Sequence, residues 1–127
     1  LGKNSLTPSL EDYLEAILNL KEANCIIRVT DLAKKLQVAK SSVNQAVMKL
    51  VAKNLLRHER YGPLELTALG LESAQKIKER HQLLKCFFNE VLGVDHQTAE
   101  VDACTIEHHI SAATMEKLVE FCVGLIR

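Results

Sequence analysis

Apolar residues recur at three- and four-residue spacing through most of this chain, which is the signature of helices with one buried face. After Thr7-Pro8, an N-cap followed by a proline suited to the first helical position, Leu10, Tyr13, Leu14, Ile17, Leu18 and Leu20 predict a helix to about Glu22. Residues 23–28 read as a connection. Thr30-Asp31 predicts the cap of a second helix with Leu32, Ala33 and Leu36 turned inward, and Gln37-Val38 a tight turn. A third helix is expected from near Ser41 to about Asn54, with Val43, Val47, Leu50 and Val51 on its core side. Two helices joined by so short a turn form a helix-turn-helix, the second helix being the reader.

The period then changes. Two short runs flank Gly62-Pro63, and Leu64-Glu65-Leu66 alternates as an edge strand does, which predicts a small hairpin or wing. From Thr67, again a cap, the helical period returns in Leu71, Ala74, Ile77, Leu84, Phe87 and Val91, with Phe88 and His81 on its flank, until Gly93. A fifth helix is expected over Thr98–His109. A last one, capped by Ser111, carries Met115, Leu118, Val119, Cys122, Leu125 and Ile126 on one stripe and Phe121 on another face. The fold class is therefore mainly α: a winged helix-turn-helix over residues 1–70, followed by an α-helical unit over 71–127. The apolar surface of the last three helices exceeds what so small a unit buries alone, and a homodimer interface would use it.

Composition agrees with this outline. Gly and Pro together number only seven in 127 residues, which favours helices over a sandwich of strands. No apolar run reaches the roughly 18 residues of a membrane span. Residues 1–5 form no signal-peptide core. No membrane partner is expected, and the cytoplasm is the expected compartment. The four cysteines, Cys25, Cys86, Cys104 and Cys122, contain no CxxC pair and read as reduced thiols, all but Cys104 as buried small apolar residues.

Net charge is zero but unevenly spread. From Arg28 to Arg60, eight Lys/Arg stand against two acidic residues, Asp31 and Glu59, a balance of +6. A basic patch within a neutral chain is the electrostatic footprint of nucleic-acid binding, although solvated helix faces also carry such charge. On the third helix, Ser41, Ser42, Asn44, Gln45 and Lys49 lie away from the apolar stripe, and Lys40 precedes them. Hydroxyls, amides and ammonium groups there suit phosphates and base edges. Arg57, His58 and Arg60 on the wing suit an adjacent backbone or minor groove. Double-stranded operator DNA is the expected partner.

The chemistry-bearing residues lie at the two ends. Cys104, Glu107 and His108 recur at i, i+3 and i+4, which on a helix places a thiolate, a carboxylate and an imidazole on one face, donors that a transition metal accepts. Asp12 and Glu15 form an i, i+3 acidic pair on the first helix. The plain alternative for that pair is stabilisation of the helix dipole, and for His81 a satisfied half-buried polar residue.

A resemblance ties these segments together. Thr7–Ile17, Arg28–Ala33, Ser41–Val47, Arg80–Leu84 and Ile106–Ser111, in this order, resemble the diphtheria-toxin-repressor family, particularly its manganese-transport-regulator branch. The resemblance implies a homodimeric, metal-dependent winged-helix repressor that binds operator DNA when loaded with Fe(II) or Mn(II). It implies a site from the first, fourth and fifth helices, with Asp12, Glu15, His81, Glu107 and His108 matching ligands of the manganese branch. Cys104 stands where that branch has a glutamate and the iron branch a cysteine. Lys85 and Glu100 stand where the iron branch has a glutamate and a histidine for an ancillary metal, so the resemblance does not extend to that site. On the reader helix Lys40 replaces a proline of the manganese branch, while Gln45 matches a base-contacting glutamine of the iron branch. No small organic substrate is implied. The rival readings are a winged-helix regulator that senses no metal, and a metallohydrolase using Glu107 as base. The latter lacks an HExxH arrangement and any Gly-rich phosphate loop.

Overall fold

The computed structural model describes residues 6–23, 26–60 and 62–126, and of the side chains of Leu125 and Ile126 nothing is stated. The chain divides into two compact units, Leu1–Lys76 and Ile77–Arg127. The first begins with α1, Pro8–Glu22, whose start is held by Thr7 Oγ1 accepting from the Leu10 N–H at 3.2 Å. Leu10, Tyr13, Leu14, Ile17 and Leu18 form its buried face, as the spacing requires.

Helix α2, Val29–Leu36, has Arg28 as its N-cap and so starts two residues earlier than a cap at Thr30 predicts. Asp31 caps from inside the first turn, its Oδ2 accepting from the Arg28 N–H at 2.9 Å. Gln37, at φ +56°, ends the helix in the left-handed region. Helix α3, Lys40–Ala52, follows after a three-residue turn, Gln37 to Ala39. Its buried residues are Val43, Ala46, Val47 and Leu50, whereas Val51, expected inward, is exposed.

The wing is an antiparallel pair, β1 Leu56–His58 and β2 Leu64–Leu66, in register Leu56 to Leu66. Tyr61, between the strands, lies outside the described residues. The Leu64 N–H donates to the Ile27 carbonyl at 2.8 Å, which fastens the wing to the connection before α2. Thr67 pins the exit of the wing: its hydroxyl donates to the Asn54 carbonyl at 2.6 Å and accepts from the Gly70 N–H at 2.9 Å. Helix α4, Ala68–Cys86, starts here and continues into the second unit.

After Cys86 the helix widens into a π-helical turn, Phe87–Val91. The Leu92 N–H reaches back five residues to the Phe87 carbonyl, and Gly93 at φ +76° ends the run. Val91, expected on the apolar stripe, is exposed because the wider turn shifts the register. Helix α5 runs His96–Ile106 and α6 Ala112–Ile126. The Ser111 hydroxyl accepts from the Thr114 N–H at 3.1 Å, the cap anticipated for α6. The second core gathers Leu84, Ala103 and Met115, with Leu83, Phe88, Ile110 and Leu118 packed against it. Phe87 stacks edge-on against Phe121 at 6.0 Å. Cys86, expected buried, is exposed and Cys122 half-buried, while Cys25 lies outside the described residues. No helix among the described residues is long and apolar enough to cross a membrane.

Candidate metal centre and DNA-reading face

Within the second unit, α4 brings His81 onto its buried face, between Ile77 and Leu84, with 8% of its surface exposed. The flank position expected for it is thereby corrected: an imidazole stands inside the apolar stripe. Helix α5 is started by Asp95, which accepts from the Thr98 N–H at 3.0 Å and from the Thr98 hydroxyl at 2.6 Å. These bonds hold the Asp95 carboxyl below its ordinary pKa, against a small opposing effect of burial. Ala99 and Ala103 pack inward on α5. Glu100 and Cys104, one turn apart, follow on the neighbouring stripe.

The helix ends at Ile106, earlier than expected. Glu107 is its C-cap, still with helical dihedrals of φ −55° and ψ −28°, and its N–H donates to the Ala103 carbonyl at 3.0 Å. Glu107 and His108 therefore belong to the turn that follows the helix rather than to its regular face. Glu107 is fully buried.

His81 lies between two carboxylates. Its Nε2 is 2.9 Å from Glu100 Oε2, and its Nδ1 is 3.5 Å from Glu107 Oε2. His108 Nε2 stands 3.5 Å from Glu107 Oε1. Lys85 Nζ reaches Glu100 Oε2 at 3.2 Å. Burial acts to raise the Glu100 pKa, but the hydrogen bonds and charges of His81 and Lys85 outweigh it and hold the carboxyl below its ordinary value. The imidazole of His81, a carboxylate oxygen of Glu100 and the Cys104 sulfur lie within 4.8 Å of one another. Cys104 itself is exposed.

Of the residues anticipated from sequence, four thus belong to the second unit. His81 and His108 each lie 3.5 Å from Glu107 there, and Cys104 lies near His81 and Glu100. Asp12 and Glu15 lie on α1 in the first unit, exposed and half-buried respectively. Glu100 was not among the candidates. Its i, i+4 relation to Cys104 was the available signal; its meeting with His81, nineteen residues away, was not.

This is a nitrogen, oxygen and sulfur donor set with one conspicuous gap: His81 Nδ1 is buried and has no hydrogen-bond partner. Buried polar atoms are nearly always satisfied, and a divalent cation satisfies an imidazole nitrogen and a carboxylate at once. The residues present fit a metal ion.

On the first unit, Lys40, Ser41, Ser42, Asn44, Gln45 and Lys49 are all exposed on α3, opposite its buried Val43, Ala46, Val47 and Leu50. Arg57 on β1 and Arg60 beyond it are exposed, and His58 is half-buried. Met48 joins this polar face with 72% of its surface exposed. The sequence signal for it was an apolar residue out of step with the stripe.

Comparison with known proteins agrees with both halves. Residues 5–64 match the iron-dependent repressor N-terminal DNA-binding domain, and residues 67–124 match the iron-dependent repressor metal-binding and dimerisation domain. An uncharacterised HTH-type transcriptional regulator of Methanocaldococcus jannaschii is 40% identical over 117 residues, 91% of this chain and 94% of that protein. The HTH-type transcriptional regulator MntR of Shouchella clausii is 42% identical over 112 residues, 88% of this chain and 78% of the relative. Among solved structures, the manganese regulator SloR superposes with a TM-score of 0.79 at 28% identity over 92% of this chain and 54% of its own. The chain thus spans about half the length of that protein. These relatives are regulators of transcription and not enzymes. By both domain matches and by these relatives, the chain belongs to the iron-dependent repressor family of metal-dependent transcriptional regulators.

Proposed function

We propose that this protein represses transcription as a homodimer that binds operator DNA when loaded with Fe(II) or Mn(II), and so couples gene expression to metal supply. The observation that carries the reading is His81 Nδ1, buried without a hydrogen bond and turned toward the buried Glu107 carboxylate at 3.5 Å. His81, Cys104, Glu107 and His108 supply ligands from the second unit. The resemblance adds Asp12 and Glu15 of α1. Residues 71–127 are the metal-binding and dimerisation unit, and residues 1–70 the DNA-binding unit, reading with Lys40, Ser41, Ser42, Asn44, Gln45 and Lys49 and gripping the backbone with Arg57 and Arg60. The exposed Val119, Phe121 and Val123 of α6 are apolar surface suited to a second copy of the chain.

The mechanism is linkage. An ion held by ligands from both units restrains them, and in a dimer this fixes the separation of two reading helices near one turn of DNA, ~34 Å. If the restrained arrangement is the one that fits the operator, metal and DNA strengthen each other's binding equally, typically by about 1–3 kcal/mol. Carboxylates and imidazoles suit Mn(II), while the thiolate of Cys104 moves the preference toward softer ions such as Fe(II), Co(II) or Zn(II), of which Fe(II) is the one favoured here.

The test is operator binding titrated with Mn(II), Fe(II) and Zn(II), with sedimentation under the same conditions. We expect dimers throughout, and DNA binding induced by Fe(II) or Mn(II) and reversed by a chelator. Chelator-insensitive binding, or a response to zinc alone, overturns the reading.

A further inference from the structure

We propose that Glu100 and Lys85 are an orienting pair for His81: they keep its ring hydrogen on Nε2 and leave the Nδ1 lone pair to a metal ion on the side of Glu107. The proposal rests on the metal-sensing reading above and deepens it, because it assigns two residues outside the ligand set a part in metal affinity.

The argument is one of donors and acceptors. An ionised carboxylate only accepts hydrogen bonds, and an ammonium only donates. Glu100 Oε2 receives Lys85 Nζ at 3.2 Å and meets His81 Nε2 at 2.9 Å. Nε2 must therefore carry the hydrogen. A neutral imidazole has only one N–H, so Nδ1 is then a bare acceptor. It is buried, has no hydrogen bond, and faces an oxygen of Glu107 at 3.5 Å. A lone pair on Nδ1 and a carboxylate oxygen of Glu107 at this distance are two ligand atoms that one cation can take together. A histidine that donates its second N–H to a carboxylate is fixed in tautomer and orientation and becomes a stronger ligand. Lys85 has a part of its own. Its ammonium occupies the Glu100 oxygen nearest the ring, so an ion approaching that oxygen meets a positive charge, and Glu100 serves to position His81 rather than to coordinate. Local geometry makes the arrangement stiff: Lys85 is one turn beyond His81 on α4, and Glu100 is one turn before Cys104 on α5.

The test combines a proton assignment with metal binding. In the metal-free, nitrogen-15-labelled chain, at a pH where the ring is neutral, two-bond proton–nitrogen spectra of His81 are expected to show the Nε2–H tautomer. Glu100→Ala is expected to lose that preference, and Glu100→Gln, whose carbonyl still accepts, to keep it. Calorimetric titration with Mn(II) is expected to show affinity lowered on the order of 10- to 100-fold in Glu100→Ala, with the number of ions per chain unchanged, and wild-type affinity in Lys85→Arg. An Nδ1–H tautomer in the wild type overturns the proposal, as does the loss of one ion per chain in Glu100→Ala. Should Glu100→Ala fail to fold, the wild-type tautomer and the ion count of Glu100→Gln decide. A wild-type chain that binds no ion sinks the metal-sensing reading, while the tautomer, measured without metal, still reports on the pair.

Discussion

The fully buried carboxylate of Glu107 faces the ring of His81, oxygen to Nδ1, at 3.5 Å. A divalent cation held by this pair would add its binding free energy to the stability of the folded state. At a free Mn(II) concentration 100 times the dissociation constant, binding to the folded state adds about 2.7 kcal/mol. We expect urea unfolding to show a gain of that size in the wild type and none in Glu107→Gln. A variant that keeps the full gain removes Glu107 from the ligand set.

Gly70 is required by its neighbour. A Cβ at this position would overlap the Leu55 carbonyl oxygen and lie 2.8 Å from its carbon. The close approach lets Thr67 cap α4 while holding the exit of the wing. Gly70→Ala forces backbone apart and is expected to destabilise the first unit by about 3 kcal/mol, the upper part of the overpacking range. Equilibrium unfolding measures it, and a cost below about 0.5 kcal/mol on the same scale contradicts the packing described.

The exposed face of α3 makes separate predictions for reading and gripping. Gln45→Ala is expected to weaken operator binding by about 1–3 kcal/mol and to relax discrimination at one base position. Lys49→Ala is expected to weaken binding to all sequences alike and to reduce the salt slope by about 1. Fluorescence anisotropy at several salt concentrations separates the two, and equal effects on specific and random DNA from Gln45→Ala would remove it from base readout.

Asp95 gives the second unit an acid-sensitive end. Its carboxyl is held below the ordinary range by the Thr98 hydroxyl and N–H. A carboxyl depressed on folding contributes stability that is fully present above its unfolded value and is lost as the pH falls through its folded value. The Thr98 amide resonance should therefore titrate in acid, below the normal carboxyl range. In Asp95→Asn that titration should vanish, and a Thr98 amide unchanged by the substitution contradicts the cap.

Much of this was legible in the amino-acid order. Helical spacing and caps are local properties: Thr7-Pro8, Thr67 and Ser111 mark real helix starts because each hydroxyl meets an N–H three residues away. The exposed polar face of α3 was legible for the same reason, since a 3.6-residue period alone separates Gln45 from Val47. The five ordered motifs also carried the family. Boundaries set by competing local bonds were less readable. Asp31 caps α2 from within its first turn, and a wider π-helical turn takes Val91 off the stripe, so both ends differ from the simple period.

The site itself divides along the same line. The sequence by itself determined which donors exist and how closely Cys104, Glu107 and His108 follow one another along the chain. Only the tertiary structure decided that His81 is buried within the apolar stripe, that Glu107 loses all contact with water, and that His81 and Lys85 converge on one oxygen of Glu100. Spacing along one helix is fixed by its pitch, whereas the meeting of α4 with α5 depends on how Leu84 and Ala103 pack, which no local period encodes.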